Sequence, residues 1–298
     1  PFAHPIVPLL LDLKSTHEAM PAAPLPELAA YPGGQERAEW HIREAISSCE
    51  QYFGFKPGGC WPSEGAVSTA TVALLEKHGF RWAASGESVL FHSVAHADGL
   101  KERPREELLY RPYHVHGGKL GCFFRDDGLS DMIGFNYTEW HADDAVANLV
   151  HHLENIQASG EPDPRRIVSI ILDGENAWEY YPENGYYFLS ALYQRLAEHP
   201  RLNLTTYSDY LDAGSNAAAI DSLVAGSWVY GTFSTWIGDH DKNRGWDMLG
   251  DAKRVFDEVT AGGRIDSEQL AAAQHQLAIC EGSDWFWWFG DYNPADSV

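Results

Sequence analysis

The sequence predicts an α/β protein in which strands and helices alternate up to about residue 213 and then give way to a mainly helical segment. The first supporting observation is that apolar residues recur at helical spacing in segments separated by short apolar runs. The second is a continuous apolar run at residues 167–171 that leads directly into carboxylates and aromatic residues. Such a run predicts a strand buried on both faces, and ligands bind at the carboxyl ends of such strands.

The chain is strongly acidic and rich in tryptophan. Its 298 residues include 43 acidic and 21 basic side chains, which gives a formal net charge of -22. A surface of this charge repels nucleic acids and anionic membranes, so a neutral or cationic ligand is expected. Several of the 11 tryptophans are expected to line a groove, because an indole ring is rarely exposed without a role. No apolar run reaches the roughly 18 residues that a membrane span needs.

The four cysteines, Cys49, Cys60, Cys122 and Cys280, have no paired spacing. They therefore predict neither a disulfide framework nor a zinc knuckle, and a reducing compartment is expected. The chain opens at Pro1 without a signal peptide, so the expected location is the cytoplasm.

Periodicity and turn residues predict the remaining elements in order. Residues 1–12 are expected to be a strand end or a loop entering the core, and the proline-rich residues 15–32 a surface loop. Helices are predicted over residues 35–53, 66–78, 143–156, 188–196, 246–259 and 270–280. One short strand is predicted to end at Trp61. Further strands are predicted over residues 80–84, 110–115, 119–124 and 202–205. Local signals are a hairpin turn at Gly117-Gly118, an N-cap at Ser208 and a capping box at Asp266 and Gln269.

Two acidic segments fall on predicted strand ends. Glu64 lies in GCWPSEG, on the turn between the strand ending at Trp61 and the next helix, where it is either a site residue or an acid complementing the helix dipole. Asp173 is the first residue of the segment DGENAWEYY, which contains three carboxylates together with Trp178 and two tyrosines. Pyranose rings offer apolar faces and hydroxyl groups, so acids mixed with aromatic residues suit a sugar. The alternative is a solvated loop with Asp173 as a helix cap.

Other candidate residues each allow two interpretations. His4 is a site residue or a satisfied buried imidazole, and His114 with His116 is a metal-binding pair or part of a surface hairpin. Trp228 and Trp236 lie against a ligand or fill the junction between sheet and helices. The charged residues 124–131 form either an ion-pair network or a substrate-contacting loop. Four consecutive aromatic residues at 285–288 are unusual for a helix end.

Four segments in order, PFAHPIVPLL, GCWPSEG, LDGENAW and FSTWIGDHDKNRGW, together resemble glycoside hydrolase family 57. That family contains amylopullulanases, 4-α-glucanotransferases, glycogen branching enzymes and certain α-amylases. The resemblance spans essentially the whole chain. It implies an incomplete (β/α)7 barrel over residues 1–213 and, over residues 214–298, a tryptophan-rich loop and helical subdomain that completes the substrate groove.

The resemblance also implies roles for individual residues. Glu64 matches the family's catalytic nucleophile, and Asp173, followed two residues later by Glu175, matches its proton donor. The implied partner is an α-glucan or maltooligosaccharide, and the implied chemistry needs no metal or organic cofactor. The residues expected to contact substrate are His4, Trp61, Glu175, Trp178, Trp236, Asp284 and Trp285.

One family motif is missing. The His-Gln-Pro of the first barrel strand is absent, and the chain has no initiator methionine. We therefore expect an internal fragment that lacks the first strand or strands and is not fully active alone.

The expected reaction is retaining hydrolysis or transfer of α-glycosidic bonds. A retaining pair has its carboxyl groups roughly 5 to 5.5 Å apart, with Glu64 ionised and Asp173 protonated through burial or neighbouring negative charge. A non-catalytic carbohydrate-binding domain is the first alternative, favoured if the two acids lie more than about 10 Å apart. A metal-dependent sugar hydrolase is the second, favoured if His114, His116 and carboxylates cluster at metal distance.

Overall fold

The computed structural model describes residues 1–95, 97, 99–159, 163–174, 177–214, 217–263 and 265–290. In this part of the chain, five strands form one mixed sheet in the order β1-β2-β4-β3-β5. The strands are β1 Gly59–Cys60, β2 Trp82–Gly86, β3 Tyr113–Val115, β4 Gly121–Arg125 and β5 Ala218–Ile220.

Three neighbouring strands of the sheet run parallel. β2 pairs with β1 on one side and with β4 on the other, with Gly86 opposite Arg125 at the carboxyl end. β3 returns antiparallel to β4, which confirms the predicted hairpin, and β5 pairs parallel to β3. The ends of β1, β2 and β4 therefore share one edge of the sheet, and the site lies there.

Twelve α-helices surround this sheet within the described ranges. They are α1 Val7–Leu11, α2 Thr16–Ala19, α3 Gly34–Phe53, α4 Thr69–Lys77, α5 Glu87–Val94, α6 Arg105–Leu109, α7 Asp127–Asp131, α8 Ala142–Ala158, α9 Tyr186–Ala197, α10 Tyr207–Asp212, α11 His240–Ala261 and α12 Ser267–Cys280. Every helix predicted from periodicity is present, and the capping box at Asp266 and Gln269 is confirmed. None of the described helices combines the length and apolar content needed to cross a bilayer.

Several local predictions are wrong. The start of the chain forms helix α1 instead of a strand end or a loop. Pro8 is compatible with this helix, because it lies in the first turn, where a backbone N–H has no partner within the helix. Residues 202–205 form no strand, and Thr206 rather than Ser208 caps α10. The run at 167–171 is extended, but it makes only a single bridge, between Ser169 and Arg125. The α/β class is confirmed, while barrel closure stays a prediction, since the described strands form a linear row.

A hydrophobic core joins the two ends of the described chain. Side chains of residues 6–31 pack with side chains between residues 225 and 286, among them Trp236 and Trp246. Strand β5 also lies beyond residue 213 and pairs with β3. The division of the chain into two units at residue 213 stays a prediction.

Candidate functional site

Glu64 lies on a tight turn between β1 and α4. It has φ 55° and ψ 26°, the left-handed region that residues with a side chain rarely adopt. Backbone strain of this kind persists only where surrounding contacts enforce it, and such residues cluster at functional sites. Here the Ser85 hydroxyl donates to the Gly65 carbonyl at 2.6 Å, and the Trp228 N–H donates to the Glu64 carbonyl at 3.1 Å.

Two glycines allow this turn to pack closely. A Cβ on Gly65 would lie 2.7 Å from the Trp61 ring, and Gly65 itself has φ +56°. A Cβ on Gly86, the last residue of β2, would lie 2.6 Å from the Trp228 Cα. The backbone that carries Trp228 therefore crosses the end of β2 in contact with its glycine.

The Glu64 carboxylate is held by two indole rings. Trp228 Nε1 donates to one oxygen at 2.9 Å, and Trp287 Nε1 donates to the other at 3.3 Å. An indole N–H can only donate, so both bonds need an oxygen that accepts, as both oxygens of a carboxylate do. Trp287 is brought here by a 3-10 helix at Asp284–Trp288 and packs edge-on against Trp236, with ring centroids 5.8 Å apart.

His4 and Asp284 lie beside Glu64. His4 Nδ1 contacts the Ser283 hydroxyl at 2.9 Å and an Asp284 carboxylate oxygen at 3.1 Å, and the Ser283 N–H donates to the His4 carbonyl. One ligand atom from each of His4, Glu64 and Asp284 lies within 4.8 Å of the others, so these three residues could hold a metal ion.

Asp173 follows an extended segment that Arg125 anchors. Arg125 Nε donates to the Ile171 carbonyl at 2.9 Å, and the Ile171 N–H donates to the Ser130 hydroxyl at 3.2 Å. Two residues further on, the Asp173 side chain is exposed at the cavity.

The charged segment at 124–131 forms an ion-pair network. Arg125 pairs with Asp127 at 2.9 Å and with Asp131 at 2.6 Å. Burial raises the pKa of Asp127 to about 6, although the hydrogen bond and charge of Arg125 act in the opposite direction. This network supplies acceptors for the guanidinium N–H groups of Arg125, which is only 4% exposed.

Glu64 and Asp173 line the same cavity, which has a volume of about 620 Å³. A space of this size is typical of small-molecule sites. The cavity is also lined by Arg125 and by the aromatic residues Trp61, Phe135, Tyr180, Trp228 and Trp287. Its walls therefore combine two acids with flat apolar faces.

Three predicted substrate-binding tryptophans are not among the described residues that line the cavity. Trp236 is fully buried, so the prediction that it contacts a ligand is wrong, and it supports Trp287 instead. Trp178 packs on Tyr181 and Phe188 in a separate core. Trp285 stacks on Phe286 with ring centroids 3.7 Å apart and donates to the Cys280 carbonyl. The prediction for Glu175 falls outside the described residues.

The histidine pair of the hairpin does not form a metal site with neighbouring acids among the described residues. His114 contacts the Leu120 carbonyl and His116 the Asp221 carbonyl. Sequence reasoning gave no site role to Phe135 or Trp287, both of which line the cavity. The available signal for Trp287 was its place in the aromatic run at 285–288, where one turn of helix sends neighbouring rings in different directions.

The chain was compared with known proteins. The family model for glycosyl hydrolase family 57 matches residues 1–221. Curated proteins gave no match by sequence.

Three solved structures are similar to this chain in fold. A GH57-type branching enzyme from the hyperthermophilic archaeon Pyrococcus horikoshii has a TM-score of 0.69 at 19% identity over 96% of this chain and 58% of its own. A 4-alpha-glucanotransferase from Thermococcus litoralis has a TM-score of 0.60 at 18% identity, over 85% of this chain and 42% of its own. The alpha-amylase AmyC from Thermotoga maritima has a TM-score of 0.62 at 14% identity, over 90% of this chain and 62% of its own.

These structural matches establish similarity of fold, and this chain spans about half of each relative. The family match rests on sequence, and it covers 221 of the 298 residues. It includes both cavity acids and the turn that carries Glu64. This chain therefore belongs to glycosyl hydrolase family 57.

Proposed function

We propose that the cavity is the catalytic centre of a retaining enzyme that hydrolyses or transfers α-glucosidic bonds, with Glu64 as nucleophile and Asp173 as general acid and base. The observation that carries the proposal is that two acids 109 positions apart in sequence line one cavity with five aromatic side chains. Retaining glycosidases use such a pair of carboxyl groups on either side of the scissile bond.

In the first step, Glu64 attacks the anomeric carbon while Asp173 donates its proton to the glycosidic oxygen. The carbon–oxygen bond to the leaving sugar breaks as the bond to Glu64 forms. In the second step, the Asp173 carboxylate takes a proton from water or from an acceptor hydroxyl, whose oxygen attacks the same carbon and releases Glu64. Water gives hydrolysis, and a second sugar gives transfer.

The contacts of Glu64 support its role as nucleophile. Indole donors on both oxygens hold the carboxylate plane in one orientation, and the turn is fixed by backbone and hydroxyl contacts. A nucleophile held in this way loses little conformational freedom on reaching the transition state.

The Asp173 side chain is exposed at the cavity, so a bound sugar changes its surroundings. A pyranose ring in the cavity excludes water from the carboxyl group. Removing water disfavours the charged form of a carboxyl group and so favours the protonated form, which a proton donor needs.

The aromatic walls and the negative charge favour a neutral glucan as substrate. Trp61 and Tyr180 offer flat faces for the apolar sides of glucose rings. The similar structures are named as a branching enzyme, a 4-alpha-glucanotransferase and an alpha-amylase, which supports an α-glucan as the substrate class.

The test uses maltoheptaose and the full-length protein, either unsubstituted or carrying Glu64→Gln or Asp173→Asn. Each substitution is expected to lower kcat by at least about 10³-fold, since it removes one member of a pair that acts as a unit, while calorimetric binding changes little. Glu198→Gln, at an exposed helix end, is the matched control. Proton NMR of the first product should show the α anomer. Near-normal turnover in either variant, or the β anomer, would refute the assignment.

A metal-dependent sugar hydrolase is the second candidate, favoured by the grouping of His4, Glu64 and Asp284. The two candidates differ in their response to a chelator. Turnover that survives EDTA supports the carboxylate mechanism. Turnover that is lost in EDTA and restored by added zinc supports the metal-dependent one.

A further inference from the structure

Arg125 is a buried cation at the carboxyl end of β4, and it lines the same cavity as the two acids. Its guanidinium makes contacts in three directions, to a backbone carbonyl, to two carboxylates and to an aromatic ring. A planar group with five N–H donors can serve several partners at fixed angles, which a lysine ammonium cannot do.

One contact reaches the segment that carries Asp173. Arg125 Nε donates to the Ile171 carbonyl at 2.9 Å, and the backbone bridge between Arg125 and Ser169 lies two residues before it. The segment has no regular strand pairing beyond that bridge within the described ranges. The guanidinium therefore supplies one of the few polar contacts that fix the path of the backbone into Asp173.

A second contact reaches Glu64. The guanidinium carbon lies 5.0 Å from the centre of the Trp228 ring, within the range of a cation–π interaction. Trp228 in turn binds Glu64 twice, through its indole N–H to the carboxylate and through its backbone N–H to the Glu64 carbonyl. Arg125 therefore acts on the nucleophile through one intervening side chain.

The remaining contacts fix the guanidinium itself. Nη1 pairs with Asp127 and Nη2 with Asp131, and both acids belong to α7, the helix that directly follows β4. Two carboxylates on one helix, pairing with different nitrogens, set the plane of the group. Its orientation is therefore determined before any substrate binds.

We propose that Arg125 is a positioning residue that sets the separation of the two catalytic carboxyl groups, holding Asp173 through the Ile171 carbonyl and Glu64 through Trp228. This inference rests on the proposed function of the cavity. It assigns the arginine no direct contact with the reacting atoms. Loss of its geometry therefore lowers the rate of the chemical step more than the affinity for substrate.

The test compares Arg125→Lys and Arg125→Ala with the unsubstituted protein on maltoheptaose. Arg125→Lys keeps the charge and loses the planar geometry, so kcat is expected to fall by at least about 30-fold with KM changed less than about threefold. Guanidinium ion added to Arg125→Ala is expected to restore part of kcat and to have no effect on Glu64→Gln. Arg81→Lys is the matched control. Arg81 also pairs with a carboxylate, Asp212, but it lies just before the start of β2, at the opposite end of that strand from Gly86 and the site.

A double variant tests the route through Trp228. If Arg125 acts on Glu64 through this ring, Arg125→Lys combined with Trp228→Phe should lose less kcat than the product of the single effects. Multiplicative effects would overturn that part of the proposal. Unchanged kcat in Arg125→Lys, or a rise in KM alone, would overturn the whole, the latter because it indicates a substrate contact.

A crystal structure of Arg125→Lys separates this inference from the proposed function. The inference predicts that the Trp228 Nε1 to Glu64 contact lengthens beyond hydrogen-bond distance or that residues 171–173 shift. If both segments keep their positions, the inference fails even where the protein is an active glycosidase. If the unsubstituted full-length protein shows no turnover, the proposed function fails, and a displacement of both segments still supports the structural part of the inference.

Discussion

Glu281→Gln should strongly destabilise the fold, because Glu281 is a buried carboxylate that joins the two ends of the chain. It is 1% exposed and follows α12, and its partners lie on α3 and just before it. Its oxygens accept hydrogen bonds from the Tyr31 hydroxyl at 2.6 Å, from Arg37 Nε at 2.9 Å and Nη2 at 2.7 Å, and from His41 Nε2 at 2.7 Å. Glutamine keeps the shape but removes the charge and replaces one accepting oxygen with an NH₂ group.

The magnitude follows from what the substitution leaves behind. Arg37, 6% exposed, keeps a charge with no opposite partner, and the new amide points a donor at other donors. Breaking a buried ion pair from one side typically costs about 3 to 5 kcal/mol. For chains of this size each kcal/mol lowers Tm by roughly 2 to 4 °C, so the expected drop is on the order of 10 °C.

The assay is urea unfolding at pH 7, followed by circular dichroism, with Glu258→Gln as the control. Glu258 is exposed on α11, so its substitution should change the free energy of unfolding by less than about 0.5 kcal/mol. A loss below about 1 kcal/mol in Glu281→Gln would refute the reasoning, because it would mean that the carboxylate charge contributes little to the network.

The pH dependence gives an independent check. Burial alone would raise the pKa of Glu281, but hydrogen bonds from His41 and Arg37 outweigh it and the pKa is lowered. A lowered pKa in the folded state gives stability that is complete above the unfolded pKa, near 4, and is lost as pH falls through the folded value. The difference between the two proteins should therefore shrink in acid. A constant difference from pH 7 to pH 3 would contradict this assignment.

Two further substitutions test the packing and electrostatics around the cavity. Gly86→Ala places a Cβ 2.6 Å from the Trp228 Cα, so it should destabilise the fold by about 1 to 3 kcal/mol in urea unfolding. Gly58→Ala, whose Cβ meets only a hydroxyl at 3.4 Å, is the control, and equal effects would contradict the steric argument. Burial raises the pKa of Asp127 to about 6, so the folded chain binds its proton more tightly and stability falls as pH rises from about 4 to 6. Asp127→Asn should flatten that slope, and an unchanged slope would show that Asp127 does not titrate there.

Local sequence signals predicted the regular elements well. Helix α3 was expected over 35–53 and spans Gly34–Phe53, and the hairpin of β3 and β4 followed from the Gly117-Gly118 turn. These features depend on periodicity and turn chemistry, which act between near neighbours in sequence. The predicted strand at 167–171 forms no regular ladder, because its hydrogen bonds go to separate partners, among them the Tyr110 carbonyl, the Asp126 N–H, the Ser130 hydroxyl and the Arg125 side chain.

Site prediction was uneven for a related physical reason. Asp173 was found because it follows an apolar run and Glu64 because it falls on a predicted strand-to-helix turn, and both line the cavity. Some tryptophans were wrongly assigned to the binding surface, since an indole ring packs equally well in a core and on a binding surface. Trp236 is buried, whereas Trp287, one turn along a short helix from residue 284, points at Glu64.

By itself the sequence determined the α/β class, the likeness to its family and the two acids that follow predicted strands. Only the tertiary structure decided which aromatic rings line the cavity and how Arg125 links Ile171 to Trp228. It also brought residues 281–287 back against His4 and Glu64. Patterns of hydrophobicity encode which residues are buried, but contacts between residues more than 200 positions apart depend on how whole elements pack, and no local pattern records that packing.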